Sequence, residues 1–186
     1  GSDNYTYGGA MSRATGINCT FIGNRARVSG GATYKSDVID CTFINCSSYY
    51  GGALSLSNAI NCKFIQNTAE GEGGAAYNIN ATNCVFINNT AKSYGGALSN
   101  SSAVNCNFTD NSASGECGGA AYVSNATKCI FTNNSAKRAG AIYEGTAIKC
   151  TFSLNTAESW AGALAECTAI NCNFMNNSAA YGGAIA

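Results

Sequence analysis

Residues 61–77 read NCKFIQNTAEGEGGAAY, and both halves of that stretch return along the whole chain. The second half ends in a Gly/Ala-Gly-Ala triplet that begins at Gly8, Gly30, Gly51, Gly73, Gly95, Gly118, Ala139, Ala161 and Gly182, with successive starts 21 to 23 residues apart. The first half is Cys-x-Phe-x-x-Asn-x-Ala. Its phenylalanine column, Phe21, Phe43, Phe64, Phe86, Phe108, Phe131, Phe152 and Phe174, uses all 8 Phe residues of the chain. The cysteine column is Cys19, Cys41, Cys62, Cys84, Cys106, Cys129, Cys150 and Cys172. The asparagine column is Asn24, Asn67, Asn89, Asn111, Asn134, Asn155 and Asn177, with Cys46 standing in once. A fixed period of this length means a stack of like units, each touching only its neighbours.

Within one period, Ala59–Ile65 alternates, which predicts a half-buried strand with Ile60, Cys62 and Phe64 on one side and Asn61 and Lys63 on the other. The same alternation returns at Val104, Cys106 and Phe108 and at Ile148, Cys150 and Phe152. A second strand is expected after the glycines, as at Ala97–Ser99 and Ala141–Tyr143. Gly, Asn, Thr and Ser crowd every window and disfavour helix. Short strands joined by Asn- and Gly-rich corners, in the same order every time, predict an all-β chain. The expected fold is a right-handed parallel β-helix, a solenoid of about eight coils with a 21–23 residue repeat. Residues 8–186 then form one repeat domain, a segment of a longer surface protein, while residues 1–7 hold a cloning remnant and the start of the first coil. In this arrangement Phe rings fill the interior and the cysteines, with Ile or Val, flank them. Ala26, Ala69, Ala91, Ala113, Ala136, Ala157 and Ala179 keep a corner narrow. Each column asparagine sits at a bend with left-handed backbone, its amide bonded to the amides above and below.

Composition excludes several functions. Ten basic and ten acidic residues with no histidine give no net charge, so the basic field that nucleic acid requires is missing. No apolar run is long enough to span a bilayer, so no membrane insertion by this segment is expected. Eleven cysteines are an odd number, and eight hold one repeat position. Residues stacked on parallel strands lie about 4.8 Å apart, too far for a disulfide, so the column is expected to be free, buried thiol. On an exported protein such thiols point to an anoxic setting. Thiols along a line without His make a poor metal site, and no metal or other cofactor is expected.

Two signatures carry a resemblance. The Gly-Gly-Ala-Ile/Leu blocks (Gly51–Leu54, Gly95–Leu98, Gly182–Ile185) and the Phe-x-x-Asn blocks (Phe64 to Asn67, Phe86 to Asn89, Phe174 to Asn177) are similar to the repeats of chlamydial polymorphic outer-membrane proteins. The chain also resembles adhesin-like surface proteins of gut methanogenic archaea, where Asn-Cys-x-Phe-x-x-Asn-x-Ala blocks recur. The resemblance covers nearly the whole chain. It implies a β-helix on the cell exterior, acting in attachment to host or microbial surfaces, with export signal and anchor outside this stretch. Ala139, Ala161 and Cys46 depart from the pattern.

Candidate sites follow from the columns. Aromatics precede the triplet at Tyr7, Tyr50, Tyr94, Trp160 and Tyr181, and follow it at Tyr34, Tyr77, Tyr122 and Tyr143. Sugar rings stack on such faces, so Tyr50, Tyr94, Trp160 and Tyr181 are candidate glycan-binding residues, against the alternative that these rings cover glycine backbone. Glu144 and Glu166 share a repeat position on neighbouring coils. They are the weak candidates for a carboxylate pair of a polysaccharide-cleaving enzyme. A non-enzymatic role is expected, with a glycan or protein of another cell as partner, or a purely structural spacer as the alternative. End-to-end stacking through open terminal coils is a further possibility. Glu70 with Lys92, and Lys137 with Glu158, read as surface ion pairs between coils. Ten Asn-x-Ser/Thr sequons occur, at Asn4, Asn18, Asn45, Asn80, Asn88, Asn100, Asn107, Asn125, Asn133 and Asn176.

Overall fold

The computed structural model describes residues 5–186; the Asn4 sequon and the start of the amino-terminal remnant lie outside them. The described chain contains no helix. It forms about eight coils of parallel strands in three sheets that run the length of a solenoid. One sheet, of eight strands from Thr20–Ile22 to Asn173–Met175, carries every Phe. A six-stranded sheet, from Ser47–Tyr50 to Thr156–Trp160, carries the alanine column. The third, of twelve strands, follows the glycine triplet and includes Leu54–Ile60, Ala76–Thr82 and Ile142–Ile148.

Register is strict where the core demands it. Phe86 pairs with Phe64 on one side and Phe108 on the other, and each Phe pairs with its counterpart along the whole sheet. The rings stack with centroids 4.6–5.1 Å apart and planes within 9°. Phe43 to Phe152 are wholly buried, while Phe21 and Phe174 cap the column half-buried. Leu54, Leu98, Ile142 and Leu164 press on them from the twelve-stranded sheet. Burying a large apolar side chain contributes roughly 1.5–3 kcal/mol, and each ring is shared by two neighbours, so the stability belongs to the stack.

Four corners per coil turn on left-handed residues. Those ahead of the cysteines, from Asn18 to Asn171, have φ of 52–56°. Those ahead of the asparagines, from Gly23 to Asn176, have φ of 53–65°. A bend in the twelve-stranded sheet uses Arg13, Lys35, Leu56, Asn78, Asn100, Val123, Glu144 and Glu166, at 46–60°. The triplet's first residue supplies the fourth corner at 53–70°, including Ala139 and Ala161. Its second residue is always glycine, because a Cβ on Gly52 would lie 2.1 Å from the Gly74 carbonyl oxygen of the next coil. Ala139 and Ala161 are buried and pack with Ala165 against Tyr143.

These corners correct three expectations. The left-handed residue precedes the column asparagine, which itself points inward. A left-handed residue also resets the alternation, so Ala59 and Cys62 both face the core while Ile60, Val104 and Ile148 face outward, Ile60 41% exposed. The alanine column lies in strands, not at a corner: Ala69 pairs with Ala91 and Ala91 with Ala113, all buried.

Most Asn, Cys and Ser side chains that turn inward after a left-handed residue accept the corner's backbone N–H from the coil before it. At the asparagine corner the Asn67 N–H and Nδ2 both donate to Asn89 Oδ1, at 2.9 and 3.0 Å, and Nδ2 also donates to the Phe43 carbonyl at 3.1 Å. The pattern repeats through Asn89, Asn111, Asn134 and Asn155. At the cysteine corner the Cys62 N–H donates to Cys84 Sγ at 3.4 Å, and Cys84 Sγ–H reaches the Ala59 carbonyl at 3.4 Å. At the third bend serine does this work: Ser101 N–H donates to Ser124 Oγ at 3.1 Å, and Ser36 N–H to Ser57 Oγ at 2.9 Å. Buried polar groups left unpaired cost about 1–3 kcal/mol each, and these ladders remove that cost.

Candidate functional site

Stacking the coils merges the two aromatic columns into one edge. Register aligns Tyr7, Ser29, Tyr50, Glu72, Tyr94, Cys117, Arg138, Trp160 and Tyr181 before the glycine corner. After it run Ser12, Tyr34, Ser55, Tyr77, Ser99, Tyr122, Tyr143 and Ala165. Every coil places one aromatic at this corner, on one side or the other, and a smaller or charged residue opposite it. Counting each column separately hides that complementarity.

Exposure divides the edge. Tyr50 and Tyr94 are half-buried, leaning across the glycines onto Tyr77 and Tyr122 with centroids 5.2 and 4.6 Å apart. Trp160 and Tyr181 are 49% and 68% exposed on successive coils. The four candidate residues therefore share one column without forming an unbroken stripe, since Glu72 separates the first two and Cys117 and Arg138 separate Tyr94 from Trp160. Burial pushes the Tyr50 and Tyr122 hydroxyls up from the ordinary tyrosine range. Charged partners gather nearby: Arg138 pairs with Glu116 at 3.3 Å and lies 5.8 Å over the Tyr143 ring. The Tyr143 hydroxyl donates to Glu166 at 2.9 Å, the main reason it is pushed up to about 12.

Glu144 and Glu166 are both left-handed bend residues with exposed side chains, one coil apart. Lys92 and Glu70 form the expected ion pair. Lys137 and Glu158 do not pair; Arg138–Glu116 is the other salt bridge among the described residues. Lys137 and Glu158 instead flank a shallow depression of about 410 Å³ floored by Ser112, Ser135 and Thr156. Those three belong to a row of hydroxyls in register on the outer face of the six-stranded sheet: Ser47, Thr68, Thr90, Ser112, Ser135, Thr156 and Ser178. The signal for it was the residue after each column position from Cys46 onward, always Ser or Thr, whereas Asn24 is followed by Arg25.

All eleven cysteines are free. Burial pushes Cys46 up, and Cys167, which takes the serine position of its bend, up to about 12. Cys62, Cys106 and Cys150 are raised first by the hydrogen bond shared with the neighbouring sulfur and then by burial. Among the described residues no cluster of three or more His, Cys, Asp or Glu is placed to hold a metal. No described helix could cross a membrane.

The class of protein is thus set: an all-β parallel solenoid with a repeat near 22 residues. Three stretches of it match a known family's repeat. Residues 18–36, 83–101 and 128–143 match the Chlamydia polymorphic membrane protein repeat. Each match begins on the left-handed residue of a cysteine corner, and the first two end on the serine of the next bend, so one family unit carries all four corners. The coils between them keep the same columns. No curated protein matches the chain.

Proposed function

We propose that this chain is an adhesin-like rod of the cell surface that binds saccharide along its glycine corner. The Chlamydia polymorphic membrane protein repeats and the solenoid fit a surface-exposed repeat protein. The observation that carries the finer step is the aromatic edge: one ring per coil over nine triplets, opening at Trp160 and Tyr181 into two exposed rings on adjacent rungs. An aromatic face offers flat apolar contact for the C–H face of a pyranose, and neighbouring Arg138 and Glu116 offer hydrogen bonds to its hydroxyls. The rod is proposed as a binder, not an enzyme. Glu166 is engaged by the Tyr143 hydroxyl, and Glu144 beside it stands exposed on an open bend.

A glycan array with the whole chain tests this, followed by titration of the fluorescence of Trp160, the only Trp. The expected result is binding of at least one glycan class, weakened tenfold or more by Trp160→Ala and by Tyr181→Ala and little changed by Tyr50→Ala. Binding of no glycan leaves the rod as a spacer. Binding unaffected by the two outer aromatics moves the site elsewhere.

A further inference from the structure

Among the nine described sequons, every asparagine is exposed, and none coincides with the buried column of Asn67, Asn89, Asn111, Asn134 and Asn155. The fold enforces that separation. Two residues after each column asparagine comes the inward alanine, so those asparagines can never head an Asn-x-Ser/Thr. The residue just before the column is different. It is the left-handed corner residue, with the column residue inward at the next position and a hydroxyl of the outward row at the one after. At Asn45, Asn88, Asn133 and Asn176 this brings an exposed carboxamide and an outward Ser47, Thr90, Ser135 or Ser178 to one edge.

These four sites occupy alternate coils. The same corner position holds Gln66, Asp110 and Leu154 on the coils between them and Gly23 on the coil before the first. With rungs 4.6–5.1 Å apart, adjacent sites on this edge lie roughly 9–10 Å from one another. One rung is narrower than a pair of side-by-side pyranose rings; two rungs accommodate them.

We propose that the asparagine corner is an N-glycosylation edge, with Asn45, Asn88, Asn133 and Asn176 as acceptors spaced at every second coil. The donor class is a lipid-linked oligosaccharide, used by a membrane transferase. The sugar C1–Nδ2 bond forms as the C1–O bond to the lipid phosphate breaks, the lipid phosphate leaves, and the amide proton passes to a transferase base. The glycans would coat the edge flanking the hydroxyl row and leave the glycine corner free. The inference goes beyond saccharide binding and does not depend on it, although both need an exported chain.

The test is secretion of the whole chain, behind a host leader, from a eukaryotic host that modifies such sequons. Enzymatic deglycosylation in heavy-oxygen water marks each occupied Asn as labelled Asp. Label is expected at all four corner positions. A second variant, Gln66→Asn/Asp110→Asn/Leu154→Asn, completes a sequon on each intervening coil and leaves the core untouched. Its secreted molecules are expected to carry no more than four or five glycans on the edge, or to reach the medium in at least tenfold lower yield. Absence of label at the four native positions overturns the proposal. So does full occupancy of all seven at unchanged yield. Because the host leader supplies export, neither result depends on the native location or on glycan binding.

Discussion

The asparagine and cysteine corners solve the same problem with different chemistry. Both follow a left-handed residue, both turn a side chain inward, and both use it to accept a backbone N–H from the preceding coil and donate to a carbonyl there. The amide does so with bonds of 2.9–3.1 Å to conventional partners. The thiol accepts its N–H at 3.3–3.4 Å, and its single S–H faces a carbonyl of the preceding coil at 3.4–3.6 Å and a nearer one on its own coil at 3.2–3.3 Å. What the thiol lacks in hydrogen bonding it recovers as a small apolar body against the Phe stack. The asparagine corner should therefore be intolerant of change and the cysteine corner forgiving. The chain contains its own partial swap, for Cys46 occupies an asparagine position. Its N–H still donates to Asn67 Oδ1 at 3.0 Å, but Sγ lies 3.6 Å from the Phe21 carbonyl that an amide would hold more closely.

The largest effect is expected for Asn111→Leu. It strips the Asn89 N–H and Nδ2 and the Phe86 carbonyl of their buried partner, at about 1–3 kcal/mol each, so a loss on the order of 3–9 kcal/mol is expected in urea unfolding. Cys106→Ala removes a sulfur and its weak contacts to the Cys84 N–H and to the Val104 and Ala81 carbonyls from an otherwise apolar site, and about 1–2 kcal/mol is expected. Equal losses at the two corners would erase the distinction between them. Cys46→Asn should stabilise the chain by about 0.5–1.5 kcal/mol, read as a higher urea midpoint at unchanged slope, because it extends the amide ladder toward Asn24.

The third bend, where Cys167 takes the serine position, adds a response to alkali. The folded-state pKa of Cys167 is raised to about 12 by burial, above its ordinary value of 9.0. A raised pKa contributes stability that is complete below pH 9 and is lost as pH climbs through 12. Thermal melts should thus be flat from pH 7 to 9 and fall above it. Cys167→Ser, which restores the usual hydroxyl of that bend, should soften the decline. The asparagine column, Cys46 apart, has nothing to titrate there. A decline unchanged by the substitution would mean that Cys167 is not the group responsible.

The columns that build the core were legible because each uses one residue type at one position. Phe, Cys and Asn declared the period, the stack and the inward amide ladder. The corners were not, because left-handed backbone is held here by Asn, Asp, Lys, Gln, Leu, Val and Glu alike, and each such residue reverses the in-out count of the strand that follows. That is why Ile60, Val104 and Ile148 read as core and lie outside. The serine bend escaped notice because Ala14, Ile79, Gly145 and Cys167 interrupt it. The aromatic edge was visible only as two half-filled columns until the register joined them. The alternate-coil sequons needed the corner geometry before their common edge was apparent.

The decisive measurement is hydrogen exchange of the asparagine side-chain amides by NMR, residue by residue. Asn67, Asn89, Asn111, Asn134 and Asn155 should exchange orders of magnitude more slowly than Asn83, Asn105 and Asn133, whose amides bond coil to coil but at the surface. Uniformly fast exchange across both groups would mean that the inward amide ladder does not exist, and with it would go the corner that holds one coil to the next.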